Sequence, residues 1–91
     1  MFMRAVITVV GRDAVGIIAG ISGELAKNNA NILDISQSVL QDLFAMVMLV
    51  DISKCTIDFS ELSRLVIAKG DDMGVKIHIM HEDIFTSMHR I

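Results

Sequence analysis

The hydrophobic and polar positions divide the chain into strand-length and helix-length segments in alternation. Residues 3–10, MRAVITVV, are rich in β-branched side chains and predict a strand. Residues 14–29 place Val15, Ile18, Ile21, Leu25 and Ala26 on one helical stripe. Asp13 is the expected N-cap of that helix, and Asn28-Asn29 its stop. Residues 31–40 alternate, with Leu33, Ile35 and Val39 facing one way and Asp34, Ser36 and Ser38 the other, as a half-buried strand does. Gln41-Asp42 predicts a tight turn into 43–51, LFAMVMLVD, a third and more apolar strand. Asp58 followed by Glu61 resembles a capping box. It opens a second helix to about Lys69, with Leu62, Leu65 and Val66 on its apolar face. Gly70 and Gly74 bound the exit, and 75–81, VKIHIMH, reads as the fourth strand.

The order is β-α-β-β-α-β, the split arrangement of an α+β, ferredoxin-like fold. Right-handed crossovers put both helices on one face of a four-stranded antiparallel sheet of order 4-1-3-2. The second and fourth strands are then edges, and the second carries the polar alternation that suits an edge. The whole chain, 1–91, reads as one domain, with a short helical tail at 83–91.

Strand parity makes a further expectation about the sheet's other face. With Ala5, Ile7 and Val9 toward the helices, Val6, Thr8 and Val10 point outward. The same count sends Phe44, Met46, Met48, His78 and Met80 outward, a face too apolar for water alone. The alternative is a different register, with those methionines in the core. Ile84, Met88 and Ile91 form a stripe on the tail that covers the sheet within the chain or packs on a second subunit.

Composition narrows the function. Of 91 residues, 53% are hydrophobic, which favours a surface covered by a partner. The formal charge of −3, with neither Tyr nor Trp, argues against a nucleic-acid ligand. No stretch has the length of a membrane span or the form of a signal peptide. The single Cys55 fits a reducing cytoplasm and reads as a small packed side chain. His78 and His81, three apart on a strand, face opposite sides and do not chelate together. His89 stands alone on the tail, and Asp71-Asp72 and Glu82-Asp83 read as solvated acidic ends. The pattern calls for no metal, no cofactor and no catalytic residue.

The turn in VVGRDAVGIIAG, Val9 to Gly20, is the candidate site. Backbone N–H groups at a helix start attract anions, and Gly16 permits close approach. Asp13 repels a phosphate but suits a zwitterion, with the ligand carboxylate on the N–H groups and its ammonium near the acid. Asp13 as a simple cap is the plainer reading. Gly16, Gly20 and Gly23 do not form a dinucleotide fingerprint and read as close-packing positions along the helix.

The stretch GRDAVGIIAGISGELAKNNANILDISQ resembles the first half of an ACT domain, a small-ligand regulatory module, and Asp13, Gly16 and Asn31-Ile32 fall on the family pattern. The RDAVGIIAGIS and HEDIF…MHRI segments look like those of short stand-alone bacterial members related to the glycine-cleavage regulatory protein. The resemblance implies side-by-side dimers through an edge strand and helix, with an amino acid bound between subunits. Carried over by position, the ligand residues are Asp13, Ala14, Val15, Gly16 and Ile17 of one subunit with Asn31 and Ile32 of its neighbour. Val15 stands where many ligand-binding members have Pro, so the loop is less preorganised. With no catalytic domain attached, the module is expected to regulate another protein in trans. A structural docking module without a small ligand is the alternative. A more remote one is an acylphosphatase-like enzyme, with Arg12 holding phosphate and Asn31 orienting water.

Overall fold

The computed structural model describes residues 3–12 and 16–88. The elements are β1 (Arg4–Gly11), α1 (Ile17–Lys27), β2 (Asn31–Leu40), β3 (Leu43–Asp51), α2 (Phe59–Met73), β4 (Lys76–His81) and α3 (Glu82–Met88). The strands form one antiparallel sheet in the order β2-β3-β1-β4, so the expected fold and both expected edges hold. Helices α1 and α2 pack on each other, with α1 against β2 and α2 against β4. Asp13, Ala14 and Val15, and the tail residues His89 and Ile91, lie outside the described residues.

The core lies between the sheet and the two long helices. Ile17, Ile21 and Leu25 of α1 and Leu62 and Val66 of α2 close over Ala5, Ile7 and Val9 of β1. The α1 stripe therefore runs through Ile17 and leaves Ala26 exposed, one step round the helix from the expected one. Burying each large apolar side chain stabilises the fold by roughly 1.5–3 kcal/mol.

The parity expected for β3 is corrected by the register. Ile7 pairs with Met48, Val9 with Met46 and Gly11 with Phe44, and residues directly opposite one another share a face. Phe44, Met46 and Met48 therefore join the core, at most 2% exposed. His78 pairs with Thr8 and Met80 with Val6, so these two do face outward. The outward face is completed by Val10, Ala45, Val47 and Leu49 rather than by methionines of β3. Its burial is uneven: Val6 is 4% exposed and Val10 43%. Val6 lies near the end where β4 passes directly into α3, which packs on β1 and β4. Ile84 and Met88 of α3 remain 52% and 64% exposed, so these two residues of the tail stripe are not buried within the chain.

A bulge adjusts β2. Ile32 pairs with Val50 and Asp34 with Leu49, leaving Leu33 as the extra residue. Ile32 instead of Leu33 is thereby placed against the core, alongside Ile35. The β2–β3 turn is the expected Gln41-Asp42 pair, with Gln41 at a positive φ of 57°.

The helix ends follow local chemistry. The Glu61 N–H donates to the Asp58 carboxylate at 2.9 Å, the expected N-cap of α2. The Glu61 side chain turns to Arg64 instead of completing the box. Helix α2 runs past Lys69 to Met73 because Gly70 is a packing position and not a stop. A Cβ on Gly70 would overlap the Ile77 side chain, and one on Gly20 would lie 2.7 Å from Met73 Sδ across the α1–α2 contact. The helix stops at Gly74, whose φ of 74° is left-handed, with the Val75 N–H donating to the Gly70 carbonyl at 2.9 Å. A Cβ on Gly23 meets nothing within 4 Å, so only one of the two later glycines of α1 serves close packing.

Two substitutions separate packing from propensity. Gly70→Ala is expected to cost about 1–3 kcal/mol through overlap with Ile77. Gly23→Ala is expected to stabilise by roughly 0.5–1 kcal/mol through helix propensity alone. Urea denaturation of both variants checks the pair, and equal effects would contradict the helix packing described here.

Candidate functional site

The first turn leaves β1 at Gly11, and Arg12 follows, exposed. Its guanidinium lies 3.8 Å from the Asp42 carboxylate in the β2–β3 turn, an exposed pair that contributes little to stability. The N-cap of α1 is Gly16, at a φ of 80°, and among the described residues no side chain caps the helix. The expected cap at Asp13 is thus displaced three residues along the chain. The first turn of α1 carries no acid, and the Gly20 N–H donates to the Gly16 carbonyl at 2.9 Å. The earlier N–H groups of α1 form the electropositive end of the helix. Gly16 is required by its left-handed backbone, since a Cβ there meets nothing within 4 Å. Ile17 contributes only backbone to this surface, because its side chain is buried in the core.

Asn31 and Ile32 lie elsewhere. Asn31 pairs with Asp51, which pairs with Arg4, at the start of β1. The first turn follows Gly11 at its other end. Seven residues of strand separate the two, roughly 23 Å along the sheet. One chain therefore does not bring Gly16 and Ile17 together with Asn31 and Ile32. The half-buried Ile32 side chain packs on the core, while Asn31 is exposed. The same separation defeats the acylphosphatase alternative within one chain, since Arg12 and Asn31 cannot share one phosphate.

A different constellation surrounds Asn31. Asn29, Asn31, Asp51 and Lys54 line an open cleft of about 270 Å³. Asn29 takes a left-handed φ of 62° just after α1, and its amide donates to the Lys54 carbonyl at 2.9 Å. The Thr56 N–H donates to the Asn28 carbonyl at 3.0 Å, so two loops are stitched together beneath the cleft. Asp51 Oδ1 accepts from the Ser53 hydroxyl at 2.7 Å and from the Ser53 N–H at 2.9 Å. Those bonds, hydroxyl first, hold the Asp51 carboxyl below its ordinary value of 3.8, and Lys54 and Arg4 add to the effect against slight desolvation. Sequence reading passed over Asp51 and Lys54. The signal was available in Asp51-Ile52-Ser53, a carboxylate two residues ahead of a hydroxyl where an apolar run ends.

The remaining candidates take ordinary places. Cys55 is free and half-buried against the core. His81 stacks on Phe59 with ring centroids 4.0 Å apart, whereas His78 is exposed on the outward face. Among the described residues, no group of three His, Cys, Asp or Glu side chains is arranged to hold a metal, and no helix is long and apolar enough to cross a membrane.

A family model described as ACT domain matches residues 4–80. The chain belongs to the ACT-domain family. This ACT module is 54% identical over 88 residues to a UPF0237 protein of Methanocaldococcus jannaschii, covering 97% of this chain and 98% of that one. An ACT domain protein from Streptococcus pneumoniae superposes with a TM-score of 0.79 at 46% identity, over 91% of this chain and 93% of its own. A putative glycine cleavage system transcriptional repressor superposes with a TM-score of 0.76 at 20% identity, a likeness of fold. This module covers 89% of its own length and 46% of that longer chain.

The Asp51 geometry sets a pH dependence. A folded-state value below 3.8 means that this carboxylate stabilises the fold at neutral pH. That contribution begins to fade as pH falls toward the ordinary value and is gone below the folded one. Stability of the parent is therefore expected to fall more steeply in this acid range than that of Asp51→Asn. Urea midpoints measured from neutral pH down through 3.8 check it, and parallel curves would remove the Ser53 bonds as the cause.

Proposed function

We propose that this ACT module is a non-catalytic regulator that dimerises side by side through β2 and α1 and binds a small amino acid between the subunits. It acts in trans on a separate protein in the cytoplasm, a compartment consistent with its single free Cys55. The observation that carries the reading is the opposite placement of the two halves of the candidate site. A two-fold pairing of β2 edges runs the strands antiparallel, so the Asn31 end of one chain lies beside the Leu40 end of the other. Leu40 and Leu43 belong to the same end of the sheet as Gly11 and the first turn. Helix α1 packs on the β2 side, which brings its N-terminus toward the same edge. Two chains thus supply, near one seam, the N–H groups at Gly16 and Ile17 and the amide of Asn31. The N–H groups suit a ligand carboxylate, and Asp13, which follows Arg12 in the turn, suits its ammonium. A continuous sheet would also cover the long outer edge of β2.

A second reading, a docking module without a small ligand, draws on Val39, Leu40 and Leu43. These are 65%, 72% and 43% exposed at one hairpin tip, an apolar patch ready for another protein.

Thermal melting against the twenty amino acids, with mass measured in parallel, decides between them. The regulatory reading expects a dimer and a saturable rise with one or two amino acids, on the order of 10 °C at a hundredfold excess over Kd. Gly16→Asn tolerates the left-handed backbone but places a side chain over the N–H groups. It and Asn31→Ala are expected to lose the rise while remaining folded. A stable dimer with no rise for any amino acid favours the docking reading.

A further inference from the structure

We propose that the cleft formed by Asn29, Asn31, Asp51 and Lys54 is a second, self-contained site for a small α-amino acid, built from one chain. It goes beyond the intersubunit site proposed above and shares only Asn31 with it.

Asp51 and Lys54 face the same cleft and feel each other electrostatically, yet they form no ion pair. Two opposite charges held apart beside a cavity match a ligand that carries both. An α-amino acid does so with one carbon between its ammonium and its carboxylate. The ammonium is placed on Asp51 Oδ2, the oxygen that Ser53 leaves open, because both Ser53 bonds go to Oδ1. The carboxylate is placed on Lys54 Nζ and on the side-chain amide of Asn31, neither of which makes a hydrogen bond or ion pair to a described residue. A lone anion would meet the Asp51 charge, and a lone cation the Lys54 charge. The zwitterion satisfies both, through charge-assisted hydrogen bonds.

Asp51 is oriented by Ser53, and Asn31 is held opposite it by the β2–β3 ladder. The backbone that carries Lys54 is anchored by Asn29 at 2.9 Å, and the two loops are joined again through Thr56 and Asn28 at 3.0 Å. The Asp51 carboxylate and the backbone beneath the cleft therefore need little ordering on binding, and only the Lys54 and Asn31 side chains have to settle on the ligand. The size of the cleft, about 270 Å³ and open to solvent, admits glycine or L-serine without demanding a large apolar side chain. Lys54 and Asn31 are exposed, so the site is reachable in the isolated chain.

Amide NMR shifts of the full chain, titrated with glycine and with L-serine, test the proposal. Methylamine and acetate serve as single-charge controls. The expected result is saturable shifts at Asn29, Asn31, Asp51 and Lys54 for at least one of the amino acids, and much smaller ones for both controls. Lys54→Met and Asp51→Asn are each expected to weaken that binding at least about tenfold. Asp51→Asn keeps an acceptor for Ser53, and Lys54 is solvent-exposed, so both variants should retain the parent spectrum elsewhere. Shifts confined to residues 11–17 and 31–32, unaffected by Lys54→Met, would overturn this site and leave the intersubunit one standing. Acetate or methylamine binding as well as the amino acids would overturn the zwitterion assignment. Absence of shifts with either amino acid would overturn the site as proposed.

Discussion

The antiparallel register in which β1 meets β3 governs what every other part of the molecule can do. Pairing Ile7 with Met48 and Val9 with Met46 puts two apolar rows on one face, and α1 and α2 close over them. A slip of one residue would turn Phe44, Met46 and Met48 to solvent and bring Ala45, Val47 and Leu49 inward. The volumes of those two sets differ so much that the helices could not pack on both. The glycines at 20 and 70 fit this one spacing. A Cβ at 70 would strike Ile77 and crowd the Val75 carbonyl, so α2 lies close on β4 because that position is bare, while one at 20 would press on the flexible end of Met73.

The same register fixes the distance between the two ends of the sheet, and the ends differ in chemistry. At one end β1 delivers Gly11 and the first turn, and the N-cap of α1 is a glycine. That end offers the backbone donors of α1. At the other end β2 and β3 begin and finish against each other, and a carboxylate, an ammonium and two amides surround one cleft. The carboxylate there is held by Ser53, and the two charges are not paired with each other. A rigid sheet between the ends means that neither can reach the other within a chain. Cooperation between them requires a second chain, and β2 is the polar edge strand whose outer side runs from one end to the other.

Much of this was legible in the residues, and the failures have definite causes. The β-branched run in β1, the Gln41-Asp42 turn and the Asp58 cap are local signals, and each lay where the pattern put it. The face of β3 was misread by counting parity from β1, a strand far away in sequence. The hairpin held the better evidence: a two-residue turn sets Leu40 opposite Leu43, hence Val39 opposite Phe44, and opposite residues share a face. The bulge at Leu33 could not be read from alternation, because the apolar pair Ile32-Leu33 satisfies either phase. At the candidate site, Gly16 was legible as special but for a different reason: its left-handed backbone makes it the cap that Asp13 was expected to be. The cleft around Asp51 and Lys54 stayed hidden because no spacing encodes it. It arises from strand register together with bonds that join the α1–β2 turn to the loop after β3.

The small size of the module limits how ligand binding can act. An amino acid on an open surface makes a few charge-assisted hydrogen bonds and buries little apolar area, so it contributes modest free energy. Whatever it contributes shifts an equilibrium only by the difference between the states it binds. A tenfold preference for paired over separate chains amounts to about 1.4 kcal/mol. That is small beside the cost of opening this core, but comparable with the margin that sets whether two edge strands stay paired at cellular concentrations. Regulation through association suits this fold better than regulation through internal rearrangement. Its helices are locked by bare glycine contacts and its sheet by a single register, whereas the outer edge of β2 is the long surface left for another strand to take up or release.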